Sequence, residues 1–274
     1  MIEFPTNEGQ TAHAFYYGPQ NPSFNATAHE KPPLLVKSHG GPTSSLSSAL
    51  NLDTQFWTSR GFAVVDVNYG GSTSYGRQYR ERLYGNWGIV DVNDCVNAAL
   101  YLSTKGLADP ERLLIVGRSA SGFTALCALT FRDAFRCGTS YYGISDLEAL
   151  AADTHKFELH SLERLVGPYP ERADIYIARS PIHHVEQIEC PIAFFQGLED
   201  KVVPVSQTMA MVEALKRKQI PVACVLFIDE RHGFRRAETI KKVLESELSF
   251  YAQILGFRPA DNVQPLSVEG LRYQ

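Results

Sequence analysis

Five short apolar runs recur along the chain: PLLVKS, FAVVDVN, RLLIV, CPIAFF and VACVLFI. RCGTSYY adds a sixth between the third and fourth, and each runs into glycine or charge. A strand with one wet face alternates apolar and polar residues, so continuous runs of this length are expected where both faces of a sheet are covered. The segments between them carry apolar residues three to four apart and several stop on glycine, as helices do. These helical patterns are SALNLDTQFWTSRG, VDVNDCVNAALYLSTKG, GFTALCALTFRD, PVSQTMAMVEALKRKQI and AETIKKVLESELSFYAQIL. Strands alternating with helices predict an α/β protein with a doubly wound, mostly parallel sheet. Ahead of it, IEFPT and TAHAFYYG flank NEGQ and predict a β-hairpin turning at Gly9. Residues 146–186 interrupt the alternation and read as an insertion on one side of the sheet. The expected division is one domain over 1–257 and an irregular, disordered tail over 258–274.

The net charge of -4 leaves no footprint for nucleic acid or an anionic membrane. No apolar run approaches the roughly 18 residues that span a bilayer. Cys95, Cys127, Cys137, Cys190 and Cys224 form no CxxC pair, and their odd number and scatter read as buried thiols in a reducing compartment. MIEFPTNEGQ lacks the basic and apolar regions of a signal peptide. The expectation is a soluble, cytoplasmic protein with neither nucleic-acid nor membrane partners.

Ligands of such sheets bind beyond the carboxyl ends of the strands. There the sequence places His39-Gly40-Gly41-Pro42, Gly117-Arg118-Ser119, Glu199-Asp200 and Arg231-His232-Gly233. Serine, acid and histidine thus fall at strand ends in the chain order of α/β-hydrolases. A serine hydroxyl needs a base to take its proton, histidine suits that task near neutrality, and a carboxylate holds the imidazole in the right tautomer. The HGGP loop offers backbone amides, and Gly41 N–H with Ala120 N–H would make an oxyanion hole. Each signal alone has a plainer reading: Ser119 as a helix cap, GGP as a turn, Asp200 as a turn or cap residue, His232 as structural. It is their order at successive strand ends that points to chemistry.

SHGGP (38–42), VNYGGSTSYGR (67–77), GNWGIVDVNDC (85–95), GRSASGF (117–123), SPIHH (180–184), GLEDKVVP (197–204) and RHGF (231–234) resemble the catalytic domain of the prolyl oligopeptidase family of serine peptidases. The likeness is nearest to its acylaminoacyl-peptidase and dipeptidyl-aminopeptidase branch, and runs to about Phe257. It implies the α/β-hydrolase fold, a peptide substrate, no cofactor and no metal. It makes Ser119 the nucleophile, Asp200 the acid in preference to its neighbour Glu199, and His232 the base. His39 stands where some relatives place an oxyanion-hole tyrosine, so the backbone amides are the expected donors. Tyr141 and Tyr142 are read as lining a substrate pocket, with core packing as the alternative. His155, Glu158 and His160 read as a solvated helix face rather than a metal site, and Trp87 as packing beneath the site.

Two departures bear on function. Relatives read Gly-x-Ser-x-Gly-Gly, and Ser121 replaces the first of the paired glycines. A serine there is expected to crowd the turn, lowering rate or stability, with relief in Ser121→Gly. The family also places a β-propeller before this domain, so the catalytic loops are expected to be covered by a second copy or a partner. The resulting reading is a serine peptidase acting through an acyl-enzyme. The rivals are a carboxylesterase on small acyl esters and a non-catalytic interaction domain disabled at Ser121.

Overall fold

The computed structural model describes residues 1–27, 29–153 and 156–271. Its strands are β1 (Ile2–Pro5), β2 (Thr11–Tyr17), β3 (Leu34–Ser38), β4 (Ala63–Asn68), β5 (Leu113–Arg118), β6 (Cys137–Tyr141), β7 (Ile192–Gly197) and β8 (Val222–Phe227). Its helices are α1 (Leu52–Thr58), α2 (Arg77–Glu81), α3 (Val90–Thr104), α4 (Ala120–Phe131), α5 (Leu147–Asp153), α6 (Lys156–Leu165), α7 (Ala173–Arg179), α8 (Val205–Lys218) and α9 (Ala237–Leu255). The strands form one sheet in the order β1-β2-β4-β3-β5-β6-β7-β8. The hairpin β1–β2 adds antiparallel to β4, and every pair from β4 onward is parallel. This is the α/β-hydrolase fold.

The continuous apolar runs have the cause expected of them. Leu34 and Val36 of β3 face one core, with α3, α4 and α8, while Leu35 faces the other, with α1 and α9. The same split separates Ile115 from Leu114 and Val116 on β5. Helix α4 is buried along almost its whole length, from Ala120 to Thr130. A helix apolar all round belongs inside a domain, and α4 follows β5 directly, so the joint between them is held on every side. Helix α1 begins only at Leu52, capped by Asn51, whose side chain accepts from the Asp53 and Thr54 amides. The preceding SALN is therefore loop rather than helix.

One further expectation changes. The insertion does form on one side, as α5, α6 and α7, but the described tail residues 258–271 are docked rather than disordered. Val263, Leu266 and Val268 pack on the α1–α9 core. Arg60 grips Asp261 through two hydrogen bonds, at 2.9 and 2.7 Å, and Glu269 bridges to Val222 at the outer edge of β8. The signal was invisible to periodicity because the tail makes no element of its own. Among the described residues no helix is long and apolar enough to cross a membrane.

One charge lies deep in the second core. Glu247 of α9 is enclosed, its oxygens accepting from the hydroxyls of Tyr141 and Tyr251. Burial pushes its carboxyl up to about 7, against the pull of those two hydroxyls. The folded protein therefore keeps a proton that the unfolded chain releases in the ordinary carboxylate range. This contribution to stability is complete below that range and is lost as pH rises through about 7. Urea unfolding between about pH 5 and about pH 8 should show the parent losing stability relative to Glu247→Gln across this window. Parallel curves would show that Glu247 is ionised throughout.

Candidate functional site

GRSASGF forms the joint between β5 and α4. Ser119 sits there with φ 55° and ψ −122°. A left-handed backbone costs a residue with a Cβ on the order of 1–3 kcal/mol and persists only where its surroundings enforce it. The Ser119 N–H donates to the Tyr141 carbonyl at 3.0 Å. Gly117 is obligatory, since a Cβ there would lie 1.8 Å from the Ser121 carbonyl oxygen. Ser121, expected to crowd the turn, is hydrogen-bonded within it. Its buried Oγ accepts the Arg118 N–H at 2.7 Å and donates to the Arg118 carbonyl at 3.0 Å. The side chain that replaces glycine thus ties the end of the strand to the start of the helix.

The loops after β7 and β8 bring the other two residues to Ser119. Gly197 ends β7 without a side chain, and a Cβ there would meet the Glu230 carbonyl oxygen at 2.4 Å. That close approach lets residues 228–236 fold back over the strand end. Glu230 is buried and accepts the Arg235 and Arg236 amides at 3.1 Å each, closing the loop ahead of α9. His232 Nδ1 lies 2.8 Å from Asp200 Oδ2, and its Nε2 lies 2.8 Å from Ser119 Oγ. The Asp200 side chain is fully buried. Its Oδ1 accepts the amides of Val202 and Val203 at 2.8 and 2.9 Å. Burial pushes the Asp200 carboxyl up, but the His232 and amide hydrogen bonds outweigh it and leave it below the usual carboxylate value. An ionised carboxylate can only accept, so Nδ1 carries the histidine proton and Nε2 is free to accept from Ser119. Glu199 turns outward instead and pairs with Arg231 at 3.2 Å.

The SHGGP loop lies against the same joint. A Cβ on Gly40 would stand 3.2 Å from the Arg118 carbonyl oxygen and 3.8 Å from Ser119 Cβ. His39 is buried, its Nε2 2.6 Å from Ser72 Oγ, and burial lowers its pKa. The Tyr69 ring packs at a tilt on that of His39, 4.4 Å between centroids, and its hydroxyl donates to the Pro42 carbonyl at 2.6 Å. The loop is thereby clamped from beneath. Among the described residues, no protein acceptor meets the amides of Gly41 or Ala120.

The two tyrosines separate. Tyr141 is 1% exposed, hydrogen-bonded to Glu247, and adds no surface to a pocket. Tyr142 sets its ring edge-on to His232 at 4.8 Å and to Phe234 at 5.3 Å, so it borders the site. Trp87 packs under α4, 4.7 Å from Phe123. His155 lies outside the described residues, and His160 faces Glu163 at 3.2 Å. No group of three or more metal-ligating side chains occurs among the described residues. Sequence reasoning missed Tyr69, Ser72 and Glu230, which hold the loops in place. Tyr69 and Ser72 lay inside VNYGGSTSYGR, while Glu230 looked like one more charge in a polar loop.

A family model for the prolyl oligopeptidase family matches residues 48–258. The chain is 31% identical over 265 residues to dipeptidyl aminopeptidase BIII of Pseudoxanthomonas mexicana, covering 94% of this chain and 38% of that one. It superposes on a puromycin-hydrolysing peptidase of Mycobacterium tuberculosis with TM-score 0.95 and 47% identity, over 98% of this chain and 41% of the other. A complex of an acylaminoacyl peptidase with Z-Gly-Gly-Phe-chloromethyl ketone aligns at TM-score 0.84 and 25% identity, over 95% and 42%. The chain therefore spans about two fifths of the length of these relatives.

Ser121→Gly should remove both bonds to Arg118 and add backbone entropy to the helix start, for a loss of about 1–3 kcal/mol. Turnover should fall with it, because the strained Ser119 loses a support. Thermal unfolding and kcat measured together check this, and higher activity in the variant would restore the crowding view.

Proposed function

The chain belongs to the prolyl oligopeptidase family, and from that premise we propose that it hydrolyses peptide bonds of oligopeptides through an acyl-enzyme on Ser119. One observation carries the reading: His232 stands 2.8 Å from Ser119 Oγ on one side and 2.8 Å from Asp200 Oδ2 on the other. In this reading Ser119 Oγ attacks the scissile carbonyl carbon as its proton passes to His232 Nε2. The buried Asp200 carboxylate stabilises the imidazolium and keeps its ring oriented. The carbonyl oxygen, now an anion, takes hydrogen bonds from the Gly41 and Ala120 amides. His232 then returns the proton to the leaving amine, and water activated by the same histidine releases the acyl group.

The identity to the puromycin-hydrolysing peptidase makes puromycin a second substrate to test. Because the relatives are more than twice as long, their full specificities do not transfer to this chain as it stands. A peptide and a nitrophenyl ester of the same acyl group, compared by kcat/KM, separate a peptidase from a carboxylesterase.

A fluorophosphonate should label one serine. Ser119→Ala should abolish labelling and turnover, and labelling that survives it removes Ser119 from the role. Asp200→Asn should lower kcat by on the order of 10⁴, since an amide favours the wrong histidine tautomer. Glu199→Gln should leave kcat within a few fold. The opposite ranking of these two variants would exchange their roles.

A further inference from the structure

Arg118 precedes Ser119 in the strand-to-helix joint and takes no part in the proposed proton transfers. Ser121 clamps its backbone, while its side chain is 45% exposed. A guanidinium carries five N–H donors in a planar fork. Among the described residues only one acceptor meets them, Asp53 Oδ1, at a long 3.4 Å from one terminal nitrogen. The other oxygen of Asp53 is taken by Lys37. The Arg118 group rests over the Tyr141 ring at 5.0 Å, which orients the fork without consuming its donors.

Burial disfavours this cation, but the Asp53 charge beside it leads the influences that outweigh burial and hold Arg118 ionised. Asp53 serves two cations, Lys37 on one oxygen and Arg118 on the other. Glu247, which lines the same small cavity, has its carboxyl pushed up to about 7 by burial. Burial also raises the Asp66 carboxyl.

The position is informative too. The ring of Tyr142 leans on His232, and its hydroxyl feels the Arg118 charge, which opposes the upward push of burial. Arg118 rests over Tyr141, whose ring lies 6.4 Å from that of Tyr142, and Tyr142 in turn borders His232. In the proposed reaction His232 hands its proton to the leaving amine, so the His232 side of Ser119 is where the leaving peptide sits. A planar cationic fork with open donors on that side matches a carboxylate, which it can bind with two parallel hydrogen bonds.

We propose that Arg118 binds a carboxylate on the leaving-group side of the scissile bond and so selects substrates whose leaving peptide presents one close to the new amine. This assignment rests on the peptidase reading above. The carboxylate has two possible sources, the C-terminus of a short leaving peptide or an acidic side chain next to the cleaved bond.

The test uses peptides sharing one acyl part, with leaving groups glycyl-glycine, glycyl-glycine amide, aspartyl-glycine amide and asparaginyl-glycine amide. In the parent protein, a carboxylate-bearing peptide should exceed its neutral match roughly tenfold in kcat/KM, the scale of one hydrogen bond to a charged partner. The difference should lie mainly in KM, and it should shrink as salt screens the half-exposed group. The glycine pair reports a C-terminal source and the aspartate pair a side-chain source. In Arg118→Met the ratio should fall near one, and Arg118→Lys should keep part of it. Each ratio is taken within one protein, so a variant that folds in lower yield still gives a valid answer. Equal rates within both pairs in the parent, or a ratio unchanged in Arg118→Met, overturns the assignment alone. A parent that cleaves none of the peptides overturns the peptidase reading and this assignment with it.

Discussion

The left-handed backbone at Ser119 is the conformation on which the rest of the site depends. A chain leaving a parallel strand for a helix must turn sharply, and the residue at the corner is lifted above the sheet. The turn would relax if it were free to. It is held by a carbonyl from β6, by a glycine with no room for a side chain at 117, and by the two-way bond of Ser121 to Arg118. Beneath it, α4 is buried on all sides, so its first turn cannot move to relieve the corner. The strain is local, but the rigidity that sustains it belongs to the whole sheet.

The other loops repeat one physical device. Each functional group is carried by a short connection whose backbone comes closer to its neighbour than a side chain would allow. Gly197 admits the Glu230 carbonyl, and Gly40 admits the Arg118 carbonyl. Each is then fixed by a polar side chain that makes no hydrogen bond to Ser119, Asp200 or His232. Glu230 ties two amides of the histidine loop, and Tyr69 ties the Pro42 carbonyl. Such buried groups are satisfied fully or become expensive, so they restrict the loops to one arrangement.

Much of this was legible in the sequence because it is written in local rules. Continuous apolar runs reveal strands covered on both faces, and glycine stops mark where they end. The order of Ser119, Asp200 and His232 needed only the rule that strand ends converge. What stayed hidden depends on contacts between distant segments. Ser121 resembled a steric intrusion because its hydroxyl's partners are backbone atoms, and no residue type in the sequence announces them. Tyr141 and Tyr142 are adjacent and identical, yet one faces Glu247 in the core and the other borders His232. Only the structure shows which face of β6's end each one takes. The tail was unreadable for a similar reason, since it borrows its order from Arg60, Ser249 and Gln253.

That tail has a bearing on how the chain behaves among its own copies. β8 is the last strand of the sheet, and an outer strand exposes a row of unmet amides and carbonyls that can template another chain. Leu226 and Ile228 lie along this rim and are exposed, which makes the template sticky as well as open. The bridge from Glu269 to Val222 occupies the start of the row with the protein's own backbone. Its anchors are Arg60, far away in sequence, and Ser249 and Gln253 of α9, so the rim is guarded only while the α1–α9 face is assembled. The docked tail thus lays the protein's own backbone along the start of an edge that could otherwise accept a strand from another chain.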